Sequence, residues 1–312
     1  MRSFFGLVKR NMLVYLKNKA TVFFSLLSPL IILFLYVMFL KQNYIDAINN
    51  TFKSINEGLV TQGESAIVIK DSLLDSFVNS WLISGILAST FITVPLSSLT
   101  LMVTDIETGK DFDFKSSPVK RWVHGMSYLV ASFLNTLIIS LVIFGIGLVV
   151  INTGEAPINV VTIFKCLIGI VVGSLSGSGC MYLIVSWFKK SNSVGAFTGI
   201  VSAASGFLIG AYMPISMFDT WLQYVANTLP GSHVAGIFRN LLMDSTLEQM
   251  SKFVPIVARE EFLLSMQDAF SLKLDFYGYT IGESQMWLYA SLTLVLILAA
   301  DIFIYLKTSK RK

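Results

Sequence analysis

The chain has 312 residues, of which 54% are hydrophobic and only 13% charged. Its mean hydropathy is +0.70. So much apolar surface excludes a soluble globular domain and predicts an integral membrane protein. The formal net charge of +4 conceals cations divided among four membrane flanks instead of one patch, which argues against a nucleic-acid partner.

Apolar runs of ~20 residues or more, the length that crosses a ~30 Å hydrocarbon core, lie near 21–40, 78–104, 124–151, 163–187, 194–213 and 285–306. They predict one all-α transmembrane domain over 1–312 with six transmembrane helices and both termini on one side. Arg2, Lys9, Arg10, Lys110, Lys120, Arg121, Lys189, Lys190 and Lys307 crowd the short flanks of that side. Because cationic flanks are retained inside, the sequence predicts a multi-pass cell-membrane protein with cytoplasmic termini. Cys166 and Cys180, on one predicted helix, are ~21 Å apart at a rise of ~1.5 Å per residue and cannot pair. With only His124 and His233 beside them, no zinc spacing exists, and both cysteines read as small core residues.

Residues 2–19 are too polar to cross. Phe5, Val8, Met12, Tyr15 and Leu16 recur at helical spacing, with Arg2, Lys9, Lys17 and Lys19 mostly elsewhere on the wheel, so 1–20 reads as a basic interfacial helix. A signal peptide is excluded, because the following apolar run is long and ends without a small-residue cleavage site. The first outer loop, 41–77, reads as partly helical and solvated.

In the second span Thr90, Thr93, Ser97, Thr100 and Thr104 follow steps of three and four, aligning their hydroxyls on one face. Two readings stand: interhelical packing, or one wall of a substrate path. Pro95 interrupts this helix, which a bundle tolerates when neighbours satisfy the freed carbonyl. After this span comes a charged island, 105–122, with four cations and four carboxylates between two apolar runs. It is either an ordinary cation-retaining loop or a contact surface for a soluble partner.

In the third span Asn135 and Thr136 suggest interhelical hydrogen bonds, and in the fourth Gly169, Gly173 and Gly177 suggest close helix packing. The fifth carries a second hydroxyl stripe, Thr198, Ser202 and Ser205, preceded by Gly195. Beyond it, two apolar segments of about a dozen residues meet at Pro230-Gly231, each too short to cross. A re-entrant or interfacial outer hairpin follows, with Trp221 and Tyr224 as alternative interface anchors. Residues 244–284 read as an amphipathic outer cap, with Glu260 and Glu261 on a solvated face, so 215–284 forms the outer hairpin and cap. Asp301, near the end of the last span, is expected to reach the interface or a cation.

Glu107, Gly109, Ser117, Pro118 and Arg121 resemble the Glu-x-Gly then Ser-Pro-x-x-Arg pattern between the second and third spans of type-2 ABC exporter permeases. Pro214, Trp221, Leu222, Pro230 and Arg239 resemble that family's outer hairpin before the last span. The resemblance implies that 105–122 is the coupling helix resting on the ATPase, that 1–20 is the connecting helix beside it, and that spans two and five flank the pathway. On this basis Glu107, Gly109, Phe112, Phe114, Ser117, Pro118, Lys120 and Arg121 are the candidate ATPase-coupling residues. Phe112 and Phe114 fill a cleft on the ATPase or anchor the loop in the interface. Thr90, Thr93, Ser97, Thr100, Thr198, Ser202 and Ser205 are the candidate substrate-path residues.

The implied function is the permease subunit of an ABC exporter for a hydrophobic or amphipathic cargo such as a drug, lipid or peptide. The sequence has no G-x-x-x-x-G-K-[ST], so no catalysis and no cofactor are assigned to this chain, and ATP with Mg is expected on a separate ATPase subunit. The implied partners are two ATPase copies, a second permease chain, identical or paralogous, and membrane lipid. Two rivals are weighed. An ion-gradient-driven transporter predicts mid-membrane charges and repeats, for which only Asp301 offers a candidate. A lipid-acting enzyme needs a base beside its nucleophile, which the spans lack.

Overall fold

A computed structural model describes residues 2–61, 69–110, 112, 119–151 and 156–309. Helices dominate: α1 (Arg2–Lys17), α2 (Lys19–Ser25), α3 (Leu27–Leu35), a π-helical turn at Tyr36–Leu40, α4 (Lys41–Thr61), α5 (Asp71–Glu107), α6 (Arg121–Ile151), α7 (Val160–Val185) and α8 (Ser191–Leu208). After a short 3₁₀ turn at Ile215–Met217 follow α9 (Thr220–Thr228), α10 (Pro230–Lys252), α11 (Ile256–Ala269), the hairpin strands β1 (Leu274–Phe276) and β2 (Tyr279–Ile281), and α12 (Glu283–Ser309). The two strands pair antiparallel, with Asp275 opposite Thr280.

Among the described residues five helical stretches are long and apolar enough to cross a membrane: Leu27–Glu57, Asp71–Glu107, Trp122–Ile151, Val160–Val185 and Glu283–Ile302. Large apolar side chains stand exposed on them, including Phe34, Val37, Ile146, Val149, Phe164 and Leu296, as a surface facing lipid requires. The run expected as the fifth span, 194–213, gives α8, 18 residues ending at Leu208. Its small and hydroxyl residues dilute the apolar content, and it is not among the five. The run expected at 21–40 is also broken. Pro29 has no N–H for the Ser25 carbonyl, so α2 stops and the helix restarts at Leu27.

The core is built around α5. Its 37 residues make it about 55 Å long at ~1.5 Å per residue, and it packs on α3, α6, α7, α8 and α10. Pro95 cannot donate to the Phe91 carbonyl one turn back. The oxygen so released lies against Gly177 of α7, where a Cβ would come within 1.9 Å of it, so only glycine fits there. Gly173 makes room in the same way for the Phe91 ring, 2.8 Å from its hypothetical Cβ. The glycine spacing in α7 is therefore a packing surface for α5.

The segment expected as partly helical and solvated, together with the expected amphipathic cap, forms a second core. Tyr44, Ile48 and Phe52 of α4 are buried with Phe77 and Trp81 of α5 and Phe262 and Met266 of α11. The Phe52 and Phe262 rings lie 4.9 Å apart. Residues 41–61 and 256–269 thus cap α5 together, and the solvated reading of 41–77 is corrected for α4, whose inner face is apolar. The second arm of the outer hairpin also differs from its expected dozen residues. α10 has 23 and buries Val234, Phe238, Leu242 and Met243. Asn240 interrupts the apolar run, but its amide donates to the carbonyls of Gly236 (2.8 Å) and Leu272 (2.6 Å), so the helix continues.

Candidate functional site

At the end of the bundle that carries α1, the buried Asp105 is the centre of a polar cluster. Arg10 donates from Nη1 to Asp105 Oδ2 (2.5 Å) and from Nη2 to Oδ1 (3.1 Å), and Tyr128 Oη donates to Oδ2 (2.7 Å). The hydrogen bond to this carboxylate raises the Arg10 pKa above its ordinary value. Next to it Asn11 Nδ2 donates to Ser127 Oγ (3.1 Å). α1 is thereby tied to α5 and α6 at once. Its buried face is Val8, Asn11 and Tyr15, whereas Phe5 and Leu16, assigned to the apolar face from spacing, are exposed. The cluster was missed in the sequence because Arg10 reads as one basic flank residue among many. Asp105 did leave a signal: it follows Ser98 and Met102 at steps of four and three, on the buried face of α5.

Two residues further on, α5 ends. Gly109 takes φ +76°, a left-handed conformation that closes the helix without a Cβ penalty. Exposed Glu107 turns sideways, and its Oε2 accepts the N–H of Ser191, the first residue of α8, at 2.8 Å. Thr104 Oγ1 lies 3.2 Å from Ser191 Oγ. A carboxylate at a helix N-terminus satisfies an orphan donor and complements the helix dipole. Phe112 is 71% exposed, Lys120 is exposed and Arg121 opens α6. Phe114, Ser117 and Pro118 lie outside the described residues.

The two hydroxyl stripes converge. Ser97 and Thr100 of α5 and Thr198 and Ser202 of α8 line one cavity of about 420 Å³. Its remaining wall comes from α2, α3 and the residue before them: Asn18, Thr21 and Ser28 supply polar atoms, and Phe24, Leu27 and Ile31 apolar surface. Among the described residues no charged side chain lines it. Thr90, Thr93 and Ser205 sit elsewhere. Thr90 Oγ1 donates to its own helix at Ile86 O (2.8 Å), and Thr93 is fully buried with no hydrogen-bond partner. Ser205 Oγ donates to the Ser202 carbonyl (3.0 Å), lies 3.3 Å from Ser28 Oγ, and borders a second, apolar cavity of about 200 Å³ with Phe91, Leu229 and Pro230.

The far end of α8 meets α10. Arg239 of α10 is completely buried, and its Nη2 donates to the carbonyls of Ile209 (3.2 Å) and Gly210 (2.5 Å), with the guanidinium 5.5 Å from the Trp81 ring centre. Gly210 has φ +69°, and a Cβ there would stand 2.6 Å from Ile215. Pro214 is buried beside this turn, Pro230 opens α10, and Trp221 is 66% exposed. Asp301 departs from expectation. It is 2% exposed and neither oxygen has a partner among the described residues, because α12 turns it toward α7, where Oδ2 faces Gly179. Glu260 and Glu261 line a broad outer cleft of about 770 Å³ with Asp268 and Lys273. No group of three metal-ligating side chains occurs among the described residues.

The family description that matches the chain is "ABC-2 family transporter protein", over residues 42–300. The match covers most of the chain, which therefore belongs to the ABC-2 family of transporter permeases. No curated protein matches it. Family membership makes this a multi-pass membrane subunit of an ABC transporter, a class that works with an ABC ATPase subunit.

Proposed function

We propose that the chain is the permease of an ABC exporter and forms half of a pathway that carries a hydrophobic or amphipathic molecule out of the cell. In this reading α8 is the sixth membrane-crossing element, both termini and 105–122 face the cytoplasm, and 215–284 faces outward. Two permease chains, identical or paralogous, work with two ATPase subunits that hold ATP and Mg. The observation that carries the reading is that α8 belongs to both working regions. Its first amide is held by Glu107 at the edge of the charged island, and its Thr198 and Ser202 line the hydroxyl cavity. A push on the 105–122 loop by closing ATPases is thereby delivered to the wall of the cavity, shifting the population between two packings.

The test is co-purification of the chain with the ABC ATPase subunits of its own cell, followed by ATP-driven transport in proteoliposomes. Failure to associate with any such ATPase would sink the proposal. One observation favours the ion-gradient-driven alternative: Asp301 is a buried carboxylic group without a partner among the described residues. Transport driven by a proton or sodium gradient with no ATP present, and abolished by Asp301→Asn, would establish that alternative instead.

A further inference from the structure

We propose that the cavity between α2–α3, α5 and α8 is a binding site for an uncharged amphipath that carries hydroxyl or amide groups at one end and a short apolar tail at the other. This deepens the permease reading and rests on it for the name of a substrate, though the site can be tested without transport. The first observation is the mixed lining: Ser97, Thr100, Thr198 and Ser202, with Asn18, Thr21 and Ser28 across from them, supply polar atoms, and Phe24, Leu27 and Ile31 supply apolar surface. The second is an unmet demand. Ser202 is 8% exposed and its hydroxyl has no hydrogen-bond partner among the described residues. Ser97, also 8% exposed, lines the same wall. Most of the other helix hydroxyls return to their own backbone, as Thr100 does to Leu96 (3.1 Å) and Thr198 to Val194 (2.8 Å). Such back-bonding leaves lone pairs on the cavity side that can accept hydrogen bonds from a guest.

Charge decides the class of guest. With no Asp, Glu, Lys, Arg or His in the lining among the described residues, an ionic head would lose its hydration with nothing to replace it, whereas a neutral polyol or amide finds neutral partners. The volume of about 420 Å³ falls within the range of small-molecule pockets. Position adds a further argument. Asn18 and Thr21 put one end of the cavity beside Lys17 and Lys19, at the polar end of the bundle, while the exposed Phe24 and Ile31 carry its rim along the lipid-facing side. An amphipath lying at the membrane interface finds both neutral polar partners and apolar surface in this lining.

The experiment places the full chain in lipid nanodiscs without nucleotide and measures saturable binding of tritiated N-octanoyl-N-methylglucamine, a neutral amide-polyol with an eight-carbon acyl tail. Octyltrimethylammonium, with a similar tail and a fixed charge, serves as competitor. Saturable binding is expected, weakened about three- to tenfold by Ser202→Ala and by Ser97→Ala, each a loss of one hydrogen bond. The cation should fail to displace the probe. Both substitutions remove a single oxygen, and a thermal melt superimposable on the wild type confirms the fold. Non-saturable uptake, equal displacement by the cation, or unchanged affinity in both variants would overturn the proposal. So would efficient disulfide cross-linking of Gly199→Cys between two copies with no probe bound, which would give the cavity to a second chain. The permease reading fails on a different result, namely absence of an ATPase partner, which leaves this binding assay untouched.

Discussion

Glu107 and Arg239 hold opposite ends of the same helix. The carboxylate accepts the first amide of α8, and the guanidinium donates to the two carbonyls that follow its last turn. Each charge has the sign that the helix dipole favours at that end. The two residues lie on different elements, α5 and α10, so α8 is clamped between the bundle's central helix and the outer hairpin, and cannot tilt without breaking one of these contacts.

At the Glu107 end, Glu107→Lys places a cation against the positive end of a helix dipole, while Glu107→Gln keeps an acceptor. Hydrogen exchange at the amides of Ser191 to Val194 should quicken in the lysine variant and change little in the glutamine one. ATPase stimulation should fall in the same order. Equal exchange in wild type and Glu107→Lys would remove the clamp from the coupling scheme.

For Arg239 the two contributions oppose each other. Arg239→Met leaves two carbonyls without this donor but also removes a buried cation that has no carboxylate near it among the described residues. The net cost should therefore stay near that of unsatisfied acceptors, about 1–3 kcal/mol, below what breaking a paired buried charge costs. Chemical or thermal unfolding in a lipid mimetic measures it. A loss above that range would mean that the guanidinium has an anionic partner.

Gly177→Ala forces a methyl group into the Phe91 carbonyl, so α5 and α7 must separate, a change that costs about 1–3 kcal/mol or more. Pro95→Ala restores an amide for that same carbonyl and draws the oxygen back toward the helix axis. The double variant should then be more stable than Gly177→Ala alone. Strict additivity of the two unfolding energies would contradict this coupling.

Arg10→Gln should destabilise more than Asp105→Asn, because it leaves a carboxylate buried with only the Tyr128 hydroxyl. Removing one member of a buried pair typically costs about 3–5 kcal/mol, and Arg10, 31% exposed, should fall at the low end. The double variant should recover most of the loss. If all three variants melt together with the wild type, the cluster is energetically neutral.

Ser202→Leu and Thr93→Leu act at different places. The first projects into the cavity and should lower transport, with the complex assembling normally. The second adds volume at a fully buried position and should reduce the yield of folded protein. Size-exclusion profiles alongside transport separate the two effects. Wild-type transport by Ser202→Leu would exclude the cavity from the pathway.

Much of this was legible in the residues. Ser97, Thr100, Thr198 and Ser202 follow helical spacing, and periodicity alone aligns them on one face of each helix. Which stripe members share a cavity was not legible, because Thr90 and Thr93 differ from Ser97 only in depth and in what packs over them. Long-range pairs were equally hidden. Arg10 and Asp105 are 95 residues apart, and Asn240 is satisfied by a carbonyl 32 residues away, so a composition-based reading ends α10 too early. The coupling between Pro95 and Gly177 was readable only as two separate motifs.

The Arg10–Asp105 pair also imposes an order on biogenesis. α1 leaves the ribosome first, but its counter-ion follows 95 residues later, and the Tyr128 hydroxyl later still. At about 5–20 residues per second this is a wait of roughly 5–20 s. Until then α1 lacks the buried partners that tie it to α5 and α6, so its docking has to follow the synthesis of both helices.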